Sequence, residues 1–112
     1  MSCKVPSCDD LTDALMEAKA SALAAIGSDD SGPSNHDMVI LSMKPTKSIS
    51  VGLIKTSISR AGLQSVDYGT VGIGIRPPDH GWQGHNRTRQ CEAMVAVLKR
   101  YGFDAYVKYV ID

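Results

Sequence analysis

Between Thr70 and Ile75 the sequence alternates strictly, with Val71, Ile73 and Ile75 on one parity and Thr70, Gly72 and Gly74 on the other. A period of two puts the two sets on opposite faces of a β-strand. One face is apolar and β-branched. The other is nearly bare, and because glycine weakens a strand, it marks a place where something approaches closely. The spacing predicts a strand over Val66–Arg76. A helix, a neighbouring subunit or a ligand could lie against the bare face.

An alanine-rich helix fits the first of these. Leu11, Leu15, Ala18, Ala22 and Ile26 recur at helical spacing, and alanine dominates from 18 to 25. Ser7, Asp9 and Asp10 offer N-cap oxygens or suit the positive end of the helix dipole, and Gly27 is placed to end the helix. Residues 28–37 are polar and without periodicity, which predicts a mobile loop. Met38–Met43 is an apolar run before Lys44-Pro45 and predicts a central strand. Ile49, Val51 and Leu53 alternate, then the apolar phase shifts to Ile54, Thr56 and Ile58. Read as a strand, residues 48–59 contain a bulge or pass from one surface to another.

After the loop Pro77–His85 a second helix is expected, capped by Asn86 or Thr88, with Cys91, Met94, Val95, Leu98 and Tyr101 as its apolar face. Lys99 and Arg100 suit its negative end and Gly102 closes it. The last strand points Phe103, Ala105, Val107, Tyr109 and Ile111 inward, with Asp104 and Lys108 outward. The expected fold is α+β: one mixed or antiparallel four-stranded sheet with two helices packed on it, in the order α-β-β-β-α-β.

At 112 residues this is a single domain, 1–112, with an N-terminal arm at 1–8, the mobile loop 28–37 and a contact loop at 77–85. No apolar run approaches the ~20 residues that span a membrane. Three cysteines cannot all pair within one chain, which favours a reducing compartment. Net charge is zero but uneven: residues 1–37 carry seven acids and two bases, a net of −5, and residues 38–112 carry ten bases and five acids, a net of +5. An acidic head and a basic body neutralise each other within one subunit or attract head to tail between subunits.

The densest polar stretch runs from Arg76 to Arg89 and holds Arg76, Asp79, His80, Trp82, Gln83, His85, Asn86, Arg87 and Arg89. Arginine and histidine beside a helix N-terminus suit a phosphate or carboxylate. Against this, no phosphate-loop or dinucleotide pattern is present, and a polar loop facing water or a partner chain explains the same residues. Trp82, the one tryptophan, lies on this loop and, like arginine, is a residue that concentrates interface energy. His80 and His85 are five apart, and Cys3 and Cys8 have only Cys91 to join them, so no structural zinc spacing arises. The two glutamates, Glu17 and Glu92, have no partner for acid–base work, and Asn86-Arg87-Thr88 is a chance glycosylation triplet. The expectation is a non-enzyme without metal or cofactor.

The stretch Ile58-Ser59-Arg60-Ala61-Gly62-Leu63-Gln64-Ser65-Val66-Asp67-Tyr68, running into Gly69–Ile75, resembles a pattern in tail terminator and related neck proteins of long-tailed bacteriophages. There a strand enters Ser-Arg, a short polar segment, Asp-x-Tyr or Asp-Tyr, an alternating strand and a helix that ends the sheet layer. The helix start Asp10-Leu11-Thr12-Asp13-Ala14-Leu15 and the strand ending in Lys44-Pro45 are similar as well.

The resemblance implies a virion structural protein. Such a chain forms a ring with copies of itself, usually a hexamer, at the head–tail junction. The ring ends the tail tube and joins it to the head connector, its partners being the tail tube protein, a head-completion or connector protein and, in passing, DNA in the lumen. It implies assembly from host cytoplasm into the virion tail. Arg60, Asp67 and Tyr68 are the family-like turn, and Trp82, Arg87 and Arg89 the expected exposed interface loop. The alternative is a small binding protein that captures an anionic ligand, such as a nucleotide, through Arg76, His85, Arg87 and Arg89.

Overall fold

The computed structural model describes residues 8–27, 37–42, 51–67, 72–78 and 84–110. Its elements are α1 (Cys8–Ala24), β1 (Met38–Leu41), α2 (Val51–Arg60), β2 (Ser65–Asp67), β3 (Ile73–Ile75), α3 (His85–Arg100) and β4 (Ala105–Lys108). The strands form one antiparallel sheet in the order β2-β3-β1-β4. The fold is therefore α+β with a four-stranded antiparallel sheet, as the sequence predicts, and it carries three helices rather than two.

The apolar stripe of α1 behaves as its spacing dictates: Leu11, Ala14, Leu15, Ala18 and Ala22 are all fully buried. The helix stops at Ala24, with the Ala25 N–H donating to both Ser21 and Ala22 C=O, so Gly27 is not its terminator and Ile26 lies beyond the stripe. Ser7, one of the expected caps, lies outside the described residues, as do most of the N-terminal arm and the loop 28–36. β1 is central, as expected, and all four of its residues are buried.

The additional helix, α2, corrects the reading of residues 48–59 as a strand for 51–59; residues 48–50 lie outside the described residues. Val51–Arg60 is helical and buries Ile54, Ser57 and Ile58, spaced three and one apart. The apolar phase shift read as a bulge is what a 3.6-residue period looks like when sampled every second residue. β-branched residues favour strands intrinsically, but burial of this stripe against α1 overrides that weak preference. The helix closes on Gly62 at φ 79°, with the Gly62 N–H donating to Ser59 C=O and the Leu63 N–H to Ile58 C=O. α3 repeats this ending at Gly102, φ 96°, where Gly102 and Phe103 donate to Lys99 and Leu98 C=O. In both cases the following apolar residue, Leu63 or Phe103, is buried, which completes a Schellman cap.

The stretch Val66–Arg76 is not one strand but two, β2 and β3, paired antiparallel with Val66 opposite Gly74, and the Arg76 N–H extends the ladder to Gln64 C=O. Ile73 and Ile75 join the core shared with the helices, so the helices pack on the isoleucine face and not on the glycine face. What approaches Gly72 is a neighbouring strand. A Cβ placed on Gly72, at φ 145°, would lie 2.6 Å from Leu41 C=O and 3.1 Å from the Ile40 side chain.

α3 begins at His85 after the N-cap Gly84, without a side-chain cap, and places Asn86 and Thr88 inside the helix rather than at its cap. Cys91, Met94, Val95 and Leu98 are buried as expected, while Tyr101 is the C-cap and 37% exposed. In β4 and its flanks the inward set holds for Phe103, Ala105 and, in part, Val107, and ends at Tyr109, which is 63% exposed.

Candidate functional site: a buried polar cluster at the start of α3

The first two turns of α3 continue the helix's buried face with polar side chains. Asn86 and Gln90 are fully buried and Arg87 nearly so. Buried polar groups are costly unless they are hydrogen-bonded. Each of these is bonded, and among the described residues no buried side-chain nitrogen or oxygen lacks a partner.

Asn86 treats Gly27 as a strand partner: Oδ1 accepts the Gly27 N–H at 2.9 Å and Nδ2 donates to Gly27 C=O at 3.2 Å. The same Oδ1 accepts from Arg89 Nη1 at 3.1 Å, and Gln90 Nε2 donates to Asn86 C=O at 3.3 Å. Arg87 Nε donates to Asp37 C=O at 2.9 Å. The Asp37 carboxylate, itself buried, takes the Thr88 hydroxyl on Oδ2 at 2.6 Å and the Val110 N–H on Oδ1 at 2.9 Å. One cluster thus ties together the segment after α1, the entry to β1, the start of α3 and the exit from β4. Below it, burial pushes the Cys91 thiol up to about 12; nearby Arg87 opposes this, and Asp37 and Glu92 add to it. That thiol is protonated and inert at neutral pH.

The expected site residues are dispersed. Arg60 is exposed in the last turn of α2, and Asp67 ends β2. Tyr68, Trp82 and the side chain of Asp67 lie outside the described residues, as does 79–83 of the expected contact loop. Arg87 and Arg89 are helical rather than on a loop, and Arg87 is turned inward. His85 is exposed at the first position of α3. Arg76 is exposed and lines a cavity of about 60 Å³ with Gly62, Leu63, Gln64, Pro77 and Pro78. An anion at Arg87 would meet the buried Asp37 carboxylate, and the Arg76 cavity is small for a nucleotide.

The sequence places Asp37 in the polar loop 28–37 and Asn86 as a cap candidate within the polar stretch Arg76–Arg89, and neither reading points to a buried cluster. A signal was present: residues 87, 91, 94 and 98 share one helical face, so the stripe of buried positions extends back into Arg87. The acidic head meets the basic body within the subunit at an exposed Glu17–Arg100 ion pair between α1 and α3. No three His, Cys, Asp or Glu side chains among the described residues gather as metal ligands, and no described helix is long and apolar enough to cross a membrane. Compared with protein-family models, curated proteins and solved structures, the chain matches none.

Proposed function

We propose that this chain is a structural assembly protein, a tail terminator-like subunit that forms a ring at a phage head–tail junction and works by binding protein neighbours rather than by turning over a substrate. One observation carries the reading. The outer face of α1 exposes Met16 and Leu23 beside the acid Asp13, with Glu17 paired to Arg100 at its margin, and the outer face of α2 exposes Leu53, Thr56 and Arg60 along one stripe. Two different surfaces, apolar in both cases and opposite in charge, are what a head-to-tail contact requires, and such contacts close into rings when the rotation permits. The proposal assigns Arg60, exposed in the last turn of α2, to this interface. The tail tube protein, the head connector and passing DNA remain the proposed neighbours.

Electron microscopy of the concentrated protein tests this: closed rings with a lumen are expected, and their loss in Arg60→Glu. A wild-type chain that never passes beyond a pair of copies overturns it. Anion capture is the second reading. It has less support, because Arg87 and Arg89 donate to Asp37 and Asn86.

A further inference from the structure

Among the described residues β4 is an edge strand, with β1 as its one neighbour in the sheet order. The direction of its backbone groups follows from the ladder. Ser42 N–H donates to Asp104 C=O, and Ile40 and Met38 lie opposite Tyr106 and Lys108. Asp104, Tyr106 and Lys108 therefore turn their N–H and C=O toward β1, and Ala105, Val107 and Tyr109 turn theirs outward. An open edge of this kind is a template for pairing with another strand.

Along that edge runs a groove of about 470 Å³, lined by Glu92, Val95, Ala96 and Lys99 of α3 and by Tyr106, Val107 and Tyr109. Tyr106 and Tyr109 are large exposed side chains, 40% and 63% accessible. Glu92 and Lys99 are exposed, lie seven residues apart on one side of α3, and form no ion pair among the described residues. α3 and β4 are joined by the tight turn at Gly102 and run antiparallel. Lys99 therefore stands over the Ala105 end of the strand and Glu92 over the Tyr109 end.

We propose that a second copy of this chain occupies the groove, its β4 pairing antiparallel with the first about a twofold axis near Val107. The arrangement is self-complementary. A twofold puts the Tyr109 end of one strand beside the Ala105 end of the other, so each Glu92 faces the second copy's Lys99, twice per interface. The outward groups of Ala105 and Tyr109 pair with each other and those of Val107 with themselves, which joins the two sheets into one of eight strands. Ala96, small and between the two charges, lets the α3 helices approach. This contact is isologous and separate from the head-to-tail faces of α1 and α2, so it does not rest on ring formation.

Sedimentation equilibrium of the full chain, dilute, at low salt and with reductant to exclude cysteine cross-links, tests it. Wild type is expected at twice the 12.0 kDa chain mass. Glu92→Lys or Lys99→Glu alone sets like charges against each other and weakens pairing roughly tenfold or more. The two single variants mixed together, and the double variant Glu92→Lys/Lys99→Glu, restore it. Both positions are exposed, and circular dichroism confirms that each variant is folded. A wild type that is monomeric throughout, pairing indifferent to both reversals, or a double variant as weak as the singles overturns the proposal. Rings that persist in Glu92→Lys leave the ring reading standing, whereas rings lost only in Arg60→Glu leave the twofold standing.

Discussion

The Asp37 carboxylate accepts the backbone N–H of Val110 at 2.9 Å, so that a side chain supplies the next rung of the β1–β4 ladder beyond the Met38–Lys108 pair. Its other oxygen holds the Thr88 hydroxyl, which fixes the start of α3 to the same point. Removing a buried acceptor leaves its donors unsatisfied. Asp37→Ala should therefore lower stability by about 3 kcal/mol. Urea unfolding measures this, and a loss below about 0.5 kcal/mol, the range of ordinary surface changes, would sink the idea that the cluster is a lock.

Asn86 holds Gly27 by both of its polar groups, across 59 residues of sequence. Asn86→Asp keeps the shape and the acceptor but loses the donor to Gly27 C=O. It should destabilise by roughly 2 kcal/mol, and hydrogen exchange at the Gly27 amide should quicken less in Asn86→Asp than in Asn86→Ala. Equal exchange in the two variants would show that the amide is protected by something else.

Much of the fold is legible in the sequence, and the parts that are not share a cause. α1, the central strand β1 and the glycine ending of α3 follow from local spacing and from Gly102. α2 does not, because its β-branched residues point to a strand and only its packing against α1 decides for a helix. The β2–β3 hairpin is hidden because Val66 and Ile73–Ile75 read as one continuous strand, although they lie on two paired strands. The polar cluster is hidden for a different reason. Asp37 and Asn86 find their partners 73 and 59 residues away, and no local pattern encodes such pairs.

Two glycines with positive φ should respond differently to alanine. At Gly62 the added Cβ would meet the Lys19 ammonium at 2.6 Å, a flexible tip that can swing away. At Gly72 it would meet Leu41 C=O, a backbone atom fixed within the sheet. Gly62→Ala should cost about 1 kcal/mol and Gly72→Ala about 3 kcal/mol, by thermal or urea unfolding. The reverse order would show that the close approach of β3 to β1 is wrong.

Cys91 links stability to alkaline pH. Its thiol is raised by burial from 9.0 to about 12, so below pH 9 the folded and unfolded chains are both protonated there and no stability is lost. Between pH 9 and about 12 the unfolded chain releases the proton and the folded chain keeps it, so the thiol's contribution falls as pH rises. The stability margin of wild type over Cys91→Ala should therefore shrink through that window. A margin independent of pH would contradict the buried, protonated thiol. Alkylation of native protein at neutral pH should also be far slower at Cys91 than in urea.

The central claim is that copies of this chain assemble through the acidic, apolar face of α1 and the basic, apolar face of α2. Sedimentation velocity with electron microscopy of the same samples, from dilute to concentrated, tests it most directly when wild type is run beside Arg60→Glu and the double variant Asp13→Lys/Arg60→Glu. Closed rings in wild type, their loss in Arg60→Glu and their return in the double variant are the expected result. A wild type that stays at one or two copies at every concentration, or rings untouched by Arg60→Glu, would contradict it.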